Sequence, residues 1–476
     1  MIDITLIREK PEWVKQQIEK LNDPGALERI DAIVRLDEER RRLLTESETL
    51  QAHRNRLNKG VGRLRGDKKL DDSFRRDRAY QVGQAIEQGQ YETAVAIMEG
   101  KAESGTVPNG IDTEAALNMM TDALRDVGNT VNSINDRLRT VEAELEENML
   151  WIPNLPHTSV PVADSEEANI PWQPEGEFYE FDFTPKPHWE LGPELGIIEF
   201  ERGVKLAGTR AYILRGWGAR LQRALEQFFL DSARAKGFEE LYLPFFVREE
   251  MMYGSAQFPK FRDVVYFDPD ADIYLLPTAE VAITNMFRDE ILDEANLPMY
   301  FVADTPCFRR EKTSAGRDTR GIKRVHQFQK VEMYKFTTPE TSYVELESLA
   351  EAASDLCRTL KIPFRRLEIV TGDLGFSATK KYDIEMWAPG CEEWLEVSSC
   401  SNTEAFQARR ANIRYRPEGG GRNQFVHTLN GSGLGMTRTI IAILENYQQA
   451  DGSIVIPEVL RPYLGGAEVI TQAGQA

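Results

Sequence analysis

The chain reads as an α+β protein, an N-terminal antiparallel helical coiled-coil arm followed by a mostly antiparallel β-sheet domain flanked by helices. Three observations predict this. Leu36, Leu43, Leu50, Leu57 and Leu64 recur at seven-residue spacing. Met120, Leu124, Val127, Val131, Ile134, Leu138, Val141 and Leu145 alternate steps of four and three. Beyond about residue 188, strand-like runs joined by long hairpin-like connections replace the heptads.

A heptad places apolar side chains every 3.5 residues on average, close to the turn of an α-helix. One stripe therefore faces a partner helix along a left-handed supercoil. Two such stretches in one chain can fold back on each other. Residues 1–150 are accordingly expected to form the arm domain. The segment from about 71 to 118 interrupts the pattern and reads as an insertion. Within it, Ala85 to Met98 is expected to be a short helix weakened by Gly89. Ser104 to Gly110, with two glycines and a proline, reads as a loop.

Residues 151–187 carry Pro153, Pro156, Pro161, Pro171, Pro174, Pro185 and Pro187, which marks a linker. Residues 188–476 form the second domain. Leu221 to Ala235 is expected to be an amphipathic helix. Leu241 to Val247 is expected to be a strand broken by Pro244. Ile273–Leu276, Met299–Ala303, Val325–Phe336 and Trp394–Cys400 also read as strands, and the last helix runs roughly from Thr437 to Gln448.

Composition narrows the function classes. No apolar run approaches the ~18–20 residues that span a bilayer, and the start lacks a basic segment followed by an apolar one. No membrane association and a cytoplasmic location are expected. Cys307, Cys357, Cys391 and Cys400 form no Cys-x-x-Cys pair, and the five histidines do not cluster near them. Reduced thiols, without zinc or a disulfide framework, are expected. A net charge of −19 opposes general nucleic-acid binding, because phosphates need basic surface. The charge is uneven, however. Arg54, Arg56, Lys59, Arg63, Arg65, Lys68 and Lys69 face a single acid, Asp67, and Arg75, Arg76 and Arg78 follow. This is either a solvated helix face or a phosphate-contacting stripe.

The strongest chemical signal is Phe308-Arg309-Arg310-Glu311, a polar loop, and a return run from Val325 to Glu332. It reads as a long β-hairpin. Period-two alternation would put Arg309 and Glu311 on one face, and Phe328 and Glu332 together with His326 and Lys330. Such a face offers a guanidinium fork for phosphate, a ring for stacking on a base, and carboxylates for an ammonium or amino group. Asn430-Gly431-Ser432-Gly433-Leu434-Gly435-Met436-Thr437-Arg438 is a glycine-rich strand-to-helix turn. Its G-x-G-x-G spacing is not the dinucleotide fingerprint, and no G-x-x-x-x-G-K-[ST] loop exists. A helix start still favours anions, and Arg438 lies in the first turn. Glu396 and Ser398 share a face by alternation, an acid beside a hydroxyl that suits Mg²⁺ bridging ATP phosphates. Thr278-Ala279-Glu280 closes a further strand-like run.

Together these motifs resemble the seryl-tRNA synthetases, a class II aminoacyl-tRNA synthetase family. Leu221 to Pro244 is similar to motif 1, Phe308-Arg309-x-Glu311 with its loop and return strand to motif 2, and Gly431 to Arg438 to motif 3. Thr278–Glu280, Ser314–Gly321, Thr371–Ser377, Phe406–Arg410, Asn430–Gly433, the opening MIDITLIRE and IPNLPH carry the seryl-type likeness. It covers nearly the whole chain except about 71–118 and the tail after 466.

The resemblance implies a class II catalytic sheet, activation of L-serine by ATP with Mg²⁺, and transfer to tRNA(Ser), with tRNA(Sec) where present. It implies a homodimer through motif 1. Serine would be held by Thr278, Ala279, Glu280, Glu332, Asn430 and Ser432. ATP would meet Arg309, Arg310, Glu311, Val325, Phe328, Glu396, Val397, Ser398, Ser399 and Arg438, with Arg309, Glu311 and Arg438 central to catalysis. Mg²⁺ would sit on Glu396 and Ser399; alternation alone does not pick Ser399. The arm residues Arg54, Arg56, Lys59, Arg63 and Arg65 would contact tRNA. The chain departs from the family pattern at Arg310, at Lys312-Thr313, at Gly435-Met436-Thr437 and in its longer arm insertion. Rival readings are a relative that loads a carrier protein, a binding protein without catalysis, and a class II enzyme for another amino acid.

Overall fold

The structure is a computed structural model that describes every residue except 68, 103–104, 106, 313–319 and 473–476. Two compact units are present. Met1–Leu6, Glu12–Leu27 and Leu150–Ala476 form one, and Ile7–Pro11 with Glu28–Met149 form the other.

The helical unit is built on α1 (Pro24–Gly66), α2 (Asp72–Glu87), α3 (Tyr91–Glu99) and α4 (Thr113–Leu150). At 1.5 Å per residue, α1 is about 65 Å long. All five heptad leucines of α1 are buried, and so is the α4 stripe except half-buried Leu138. Arg137 pairs with Glu39 at 2.9 Å, Ser47 donates to Asn135 at 2.7 Å and Arg65 donates to Thr121 at 2.9 Å. Partners fall along one helix as they rise along the other, so the pair is antiparallel.

The insertion differs from its sequence reading. Ala85 to Met98 is not one weakened helix but the end of α2, a break, and α3. Gly89 takes φ +72° at the break, a conformation that ordinary residues resist. Asp71 caps α2 by accepting from the Ser73 and Phe74 amides. Ala79, Val82, Ile86, Val95 and Met98 then pack with Leu57, Leu64, Met120 and Leu124 in one cluster. The insertion thus widens the arm's own core. Of the expected loop, Ser104 and Thr106 lie outside the described residues.

The larger unit holds an eight-stranded sheet. Its strands are β1 (Ile170–Pro171), β2 (Glu239–Glu240), β3 (Met299–Phe308), β4 (Gln327–Thr337), β5 (Phe364–Glu368), β6 (Lys380–Ala388), β7 (Glu393–Asn402) and β8 (His427–Gly435). The spatial order is β1-β5-β6-β7-β8-β4-β3-β2. All pairs are antiparallel except β2 with β3. Its helices include α5 (His188–Glu194), α6 (Trp217–Ala235), α7 (Glu280–Asn285), α8 (Ser342–Thr359), α9 (Phe406–Ala411) and α10 (Met436–Asn446). On one face Val302, Val331, Met333, Ile384 and Leu429 join α6, α8 and α10 in the main core. On the other, Phe301, Ala303, Tyr334 and Phe336 pack with Ala279, Ile283 and Ala408.

Two further readings change. The proline-rich linker supplies β1, an edge strand whose Pro171 sits where a missing N–H is tolerated. Leu241 to Val247 is not one strand. Leu241 donates to the Val302 carbonyl, the chain leaves the ladder through Pro244, and Phe246–Val247 pairs with Tyr274–Leu275 in a separate small sheet. Among the described residues no helix is long and apolar enough to cross a membrane.

Candidate functional site

Strand β4 carries the centre of the site. Phe328, Lys330, Glu332 and Tyr334 occupy alternate positions, so they share one face, as period two requires. Thr278 and Glu280 reach the same place from the start of α7. The Thr278 hydroxyl donates to Glu332 at 3.1 Å, and Lys330 donates to Thr278 at 2.8 Å. Lys330 also pairs directly with Glu332. Gln407, on α9, donates to Glu280 at 2.6 Å. Glu280, Glu332 and Lys330 are all buried.

Two buried carboxylates thus share one ammonium. Among the described residues Glu332 Oε1 has no hydrogen-bond partner, which for a buried acceptor costs about 1–3 kcal/mol. Burial, and then repulsion from Glu332, pushes the Glu280 carboxyl up to about 7. Lys330 and, more weakly, Arg309 pull the Glu280 carboxyl down but do not offset that rise. Ser432 lies directly opposite Glu332 on β8, and Asn430 opposite Tyr334; both are half-buried. Ala279 is buried at the helix start and packs in the core, so it shapes the pocket without a polar contact.

Arg309 lies beside this pocket. Its Nε donates to the Pro277 carbonyl at 3.3 Å, and its guanidinium stands 5.2 Å from the Phe328 ring centre. Strand β3 ends at Phe308, so alternation does not explain how Arg309 and Glu311 are placed. Instead Arg309 N–H donates to the His326 carbonyl, closing the ladder, and Glu311 turns back at φ +51°. Arg324 stands 3.7 Å from Glu311. Arg310 points elsewhere, onto the Tyr266 ring at 5.3 Å. Val325 is buried in the core. The sequence segment Ser314–Thr319, with Thr313, lies outside the described residues.

The pairing expected for Glu396 and Ser398 is corrected by a β-bulge. Ile384 faces Ser398 but Glu385 faces Glu396, so Val397 is the extra residue. A bulge inserts one residue and reverses alternation beyond it. Ser398 turns inward, donating to the Ser432 carbonyl at 2.6 Å, and Val397 is buried in the core. Ser399 comes to the Glu396 side instead. Asp383, directly opposite Ser399, adds a buried carboxylate whose Oδ1 has no partner among the described residues. Burial pushes its carboxyl up to about 7, against the pull of Lys381. Crowding works the same way on Glu396, but Arg438 and Lys381 hold that carboxyl below its ordinary range. Arg438 donates to the Glu396 carbonyl at 2.7 Å and stands 3.4 Å from its carboxylate. Glu396, Ser399 and Asp383 form an all-oxygen set that fits Mg²⁺.

The glycine-rich segment is not a turn. Strand β8 runs to Gly435 and α10 begins at Met436. Gly431 serves packing, because a Cβ there would meet Cys400 Sγ at 2.8 Å and Leu349 at 3.1 Å.

The profile of the seryl-tRNA synthetase N-terminal domain matches residues 1–109. That of the tRNA synthetase class II core domain (G, H, P, S and T) matches residues 264–447. The serine–tRNA ligase of a Roseiflexus strain is 53 % identical over 471 residues, covering 99 % of each chain. The chain belongs to the seryl-tRNA synthetase family. The serine–tRNA ligase of Chloroflexus aurantiacus is 49 % identical, covering 99 % of this chain and all of that one. The seryl-tRNA synthetase of Pyrococcus horikoshii, solved with ATP, superposes at a TM-score of 0.84 with 34 % identity, covering 99 % and 100 % of the two chains.

Seryl-tRNA synthetase membership gives the arm stripe a context, and the structure divides that stripe. Arg56 is held by Glu99 of α3 at 2.7 Å. Arg65 donates to Thr121 and Asn118, and Arg54 lies against Gly128. Lys59 and Arg63 are exposed. Sequence reasoning missed Asp383 and gave no role to Gln407. An acid at an inward position of β6 and the amide within the Phe406–Arg410 motif were the available signals.

Proposed function

We propose that this chain activates L-serine with ATP to seryl-adenylate and transfers the seryl group to tRNA(Ser), with tRNA(Sec) as a further acceptor where that tRNA exists. The observation that carries this reading is the buried Glu280–Glu332 pair, with an acceptor oxygen of Glu332 that has no partner among the described residues and Ser432 directly opposite on the neighbouring strand. A substrate ammonium donates to this pair of carboxylates, with Thr278 fixing Glu332. Ser432 and Asn430 face the substrate's side chain, and their polar groups favour a hydroxyl over a methyl group. Arg309 holds the reacting carboxylate and the α-phosphate, Phe328 covers the adenine, Glu311 meets its edge and Arg438 takes the far phosphates. The serine carboxylate attacks phosphorus and pyrophosphate leaves; the tRNA terminal hydroxyl then attacks the acyl carbon and AMP leaves. No enzyme nucleophile is required, so these residues act by positioning and charge stabilisation. Glu396 and Ser399, with Asp383 behind them, would hold Mg²⁺, which neutralises phosphate charge when bound.

ATP–pyrophosphate exchange across a panel of amino acids tests the assignment. Exchange is expected with serine and Mg²⁺, and not with alanine; equal exchange with alanine would sink it. The domain reading follows the same division of labour: residues 1–150 as the tRNA-binding arm, 151–187 as a connection that adds one strand, 188–476 as the catalytic domain, in the cytoplasm.

The pH dependence follows from Glu280. Its carboxyl is raised to about 7. Below that pH the free enzyme binds a proton there, and an incoming ammonium favours the carboxylate. Serine affinity is therefore full above about pH 7 and falls as pH drops. The KM for serine should rise by up to about tenfold per pH unit below 7, and stay flat, though high, in Glu280→Gln. A wild-type KM that does not change between about pH 5.5 and 8 contradicts this.

A homodimer is supported by the surface after α6. Tyr242 is 90 % exposed, Phe246 is exposed too, and Tyr242 stacks edgewise on Phe245. Light scattering should report a dimer for the native chain and a shift towards monomer for Tyr242→Arg. An active native monomer at assay concentrations would reject it.

A further inference from the structure

A second buried cluster lies outside the pocket. His188 at the start of α5, Cys391 and Glu445 on α10 bring their ligand-type atoms within 4.8 Å of one another. These are zinc-ligand residue types, but the hydrogen bonds are organised around an anion. Glu445 Oε1 accepts from the His188 amide at 2.9 Å, from His188 Nδ1 at 2.9 Å and from the Cys391 thiol at 3.0 Å. Its Oε2 accepts the Cys391 amide at 2.9 Å. Burial and the Glu445 charge hold the thiol protonated as a donor. His188 and Glu445 are fully buried.

The other ring nitrogen of His188 faces the return leg of the β3–β4 hairpin. The Ile322 amide donates to Nε2 at 3.1 Å. An acceptor role for Nε2 requires its lone pair, so the ring proton sits on Nδ1 and points at Glu445. Gly321 makes the approach possible. A Cβ there would sit 1.8 Å from Nε2, and its φ is +69°. The leg continues into Lys323, whose carbonyl accepts from Arg438 Nε at 3.4 Å, and Arg324, which pairs with Glu311. Helix α10 therefore grips this leg at two places. Arg438 takes it directly, and Glu445 takes it through His188, two turns farther along the helix.

We propose that His188, fixed by Glu445, is a positioning residue for the ATP site: by holding the Ile322 amide it sets the backbone that orients Arg438 and Glu311. The proposal rests on the reading of Arg438 and Glu311 as ATP-binding residues. The pocket for serine lies on Glu280 and Glu332, which touch neither His188 nor this leg in any bond described above. The effect should fall on ATP and spare serine.

The test is His188→Asn in the full-length enzyme. Asparagine keeps a donor near the Nδ1 position for Glu445 but has no atom at the Nε2 position. In pyrophosphate exchange, the KM for ATP should rise about tenfold, the usual cost of one unpaired buried amide, while the KM for serine stays within about twofold. Hydrogen exchange at the Ile322 amide should accelerate by a similar factor. His188→Gln, which restores an acceptor near the Nε2 position, should recover much of the ATP affinity. A folded His188→Asn with unchanged KM for ATP overturns the proposal, and so do equal losses for ATP and serine. If His188→Asn fails to fold, His188→Gln and His188→Ala carry the comparison; failure of all three assigns His188 to the core and overturns it as well. Absence of serine-dependent exchange in the wild type would reject the function reading, while Ile322 protection would still report separately on the His188 contact.

Discussion

Arg309→Ala is expected to lower serine-dependent ATP–pyrophosphate exchange by about 10²–10³-fold, the typical loss for one preorganised charge contact at the barrier. The Arg309 guanidinium is fixed by the Pro277 carbonyl and by the Phe328 ring, and it lies beside the Glu280–Glu332 pocket. Those two contacts hold the fork in place before substrate arrives, so no reorganisation is needed at the moment of reaction. The fold should survive, because Arg309 is half-buried and lies beyond the end of β3. A thermal melt close to wild type alongside the lost exchange is the expected pair of results. A folded variant with near-normal exchange would remove Arg309 from the mechanism. Arg309→Lys should rescue little, because an ammonium cannot present two parallel donors to carboxylate and phosphate oxygens.

Replacing the helical arm by a short loop is expected to leave exchange almost unchanged and reduce aminoacylation by about 10³-fold, the lower end of the gap between specific and non-specific nucleic-acid affinity. The body of the protein is acidic, so attraction for RNA must be local. The internal pairings refine which basic residues matter. Arg56 already serves Glu99, and Arg65 serves α4. Lys59→Ala with Arg63→Ala should therefore cost more tRNA affinity than Arg56→Ala with Arg65→Ala. Each lost phosphate contact should flatten the log–log salt dependence by roughly 0.7–0.9. An armless enzyme that charges tRNA normally would show that the stripe is only a solvated helix face. The insertion packs its apolar side on the arm and spends Glu99 on Arg56. Removing α2 and α3 should thus lower the arm's melting temperature more than it lowers tRNA affinity.

The sequence by itself determined features written in an uninterrupted local period. Seven-residue spacing requires a helix with one buried stripe, and all five leucines of α1 are buried. Period two placed Phe328, Lys330 and Glu332 on one face, and the strand obeys it. Motifs with fixed spacing, such as Thr278-Ala279-Glu280 and Asn430–Gly433, were equally legible because their chemistry lies in consecutive residues.

Only the tertiary structure decided what depends on a partner strand or a distant segment. The bulge at Val397 is invisible along the chain, since the count of residues changes only relative to β6. It moves Ser399, rather than Ser398, beside Glu396. Gly89 was readable as a weak point, but only packing against Leu57 and Met120 turned it into a break between two helices. The proline-rich linker became an edge strand because an open edge of β5 stood beside it. Glu445 gathers His188 and Cys391 from positions more than fifty residues away in the chain. No periodicity connects such residues. Their proximity is set by how the sheet and α10 pack, and a buried carboxylate must find its donors wherever folding brings them.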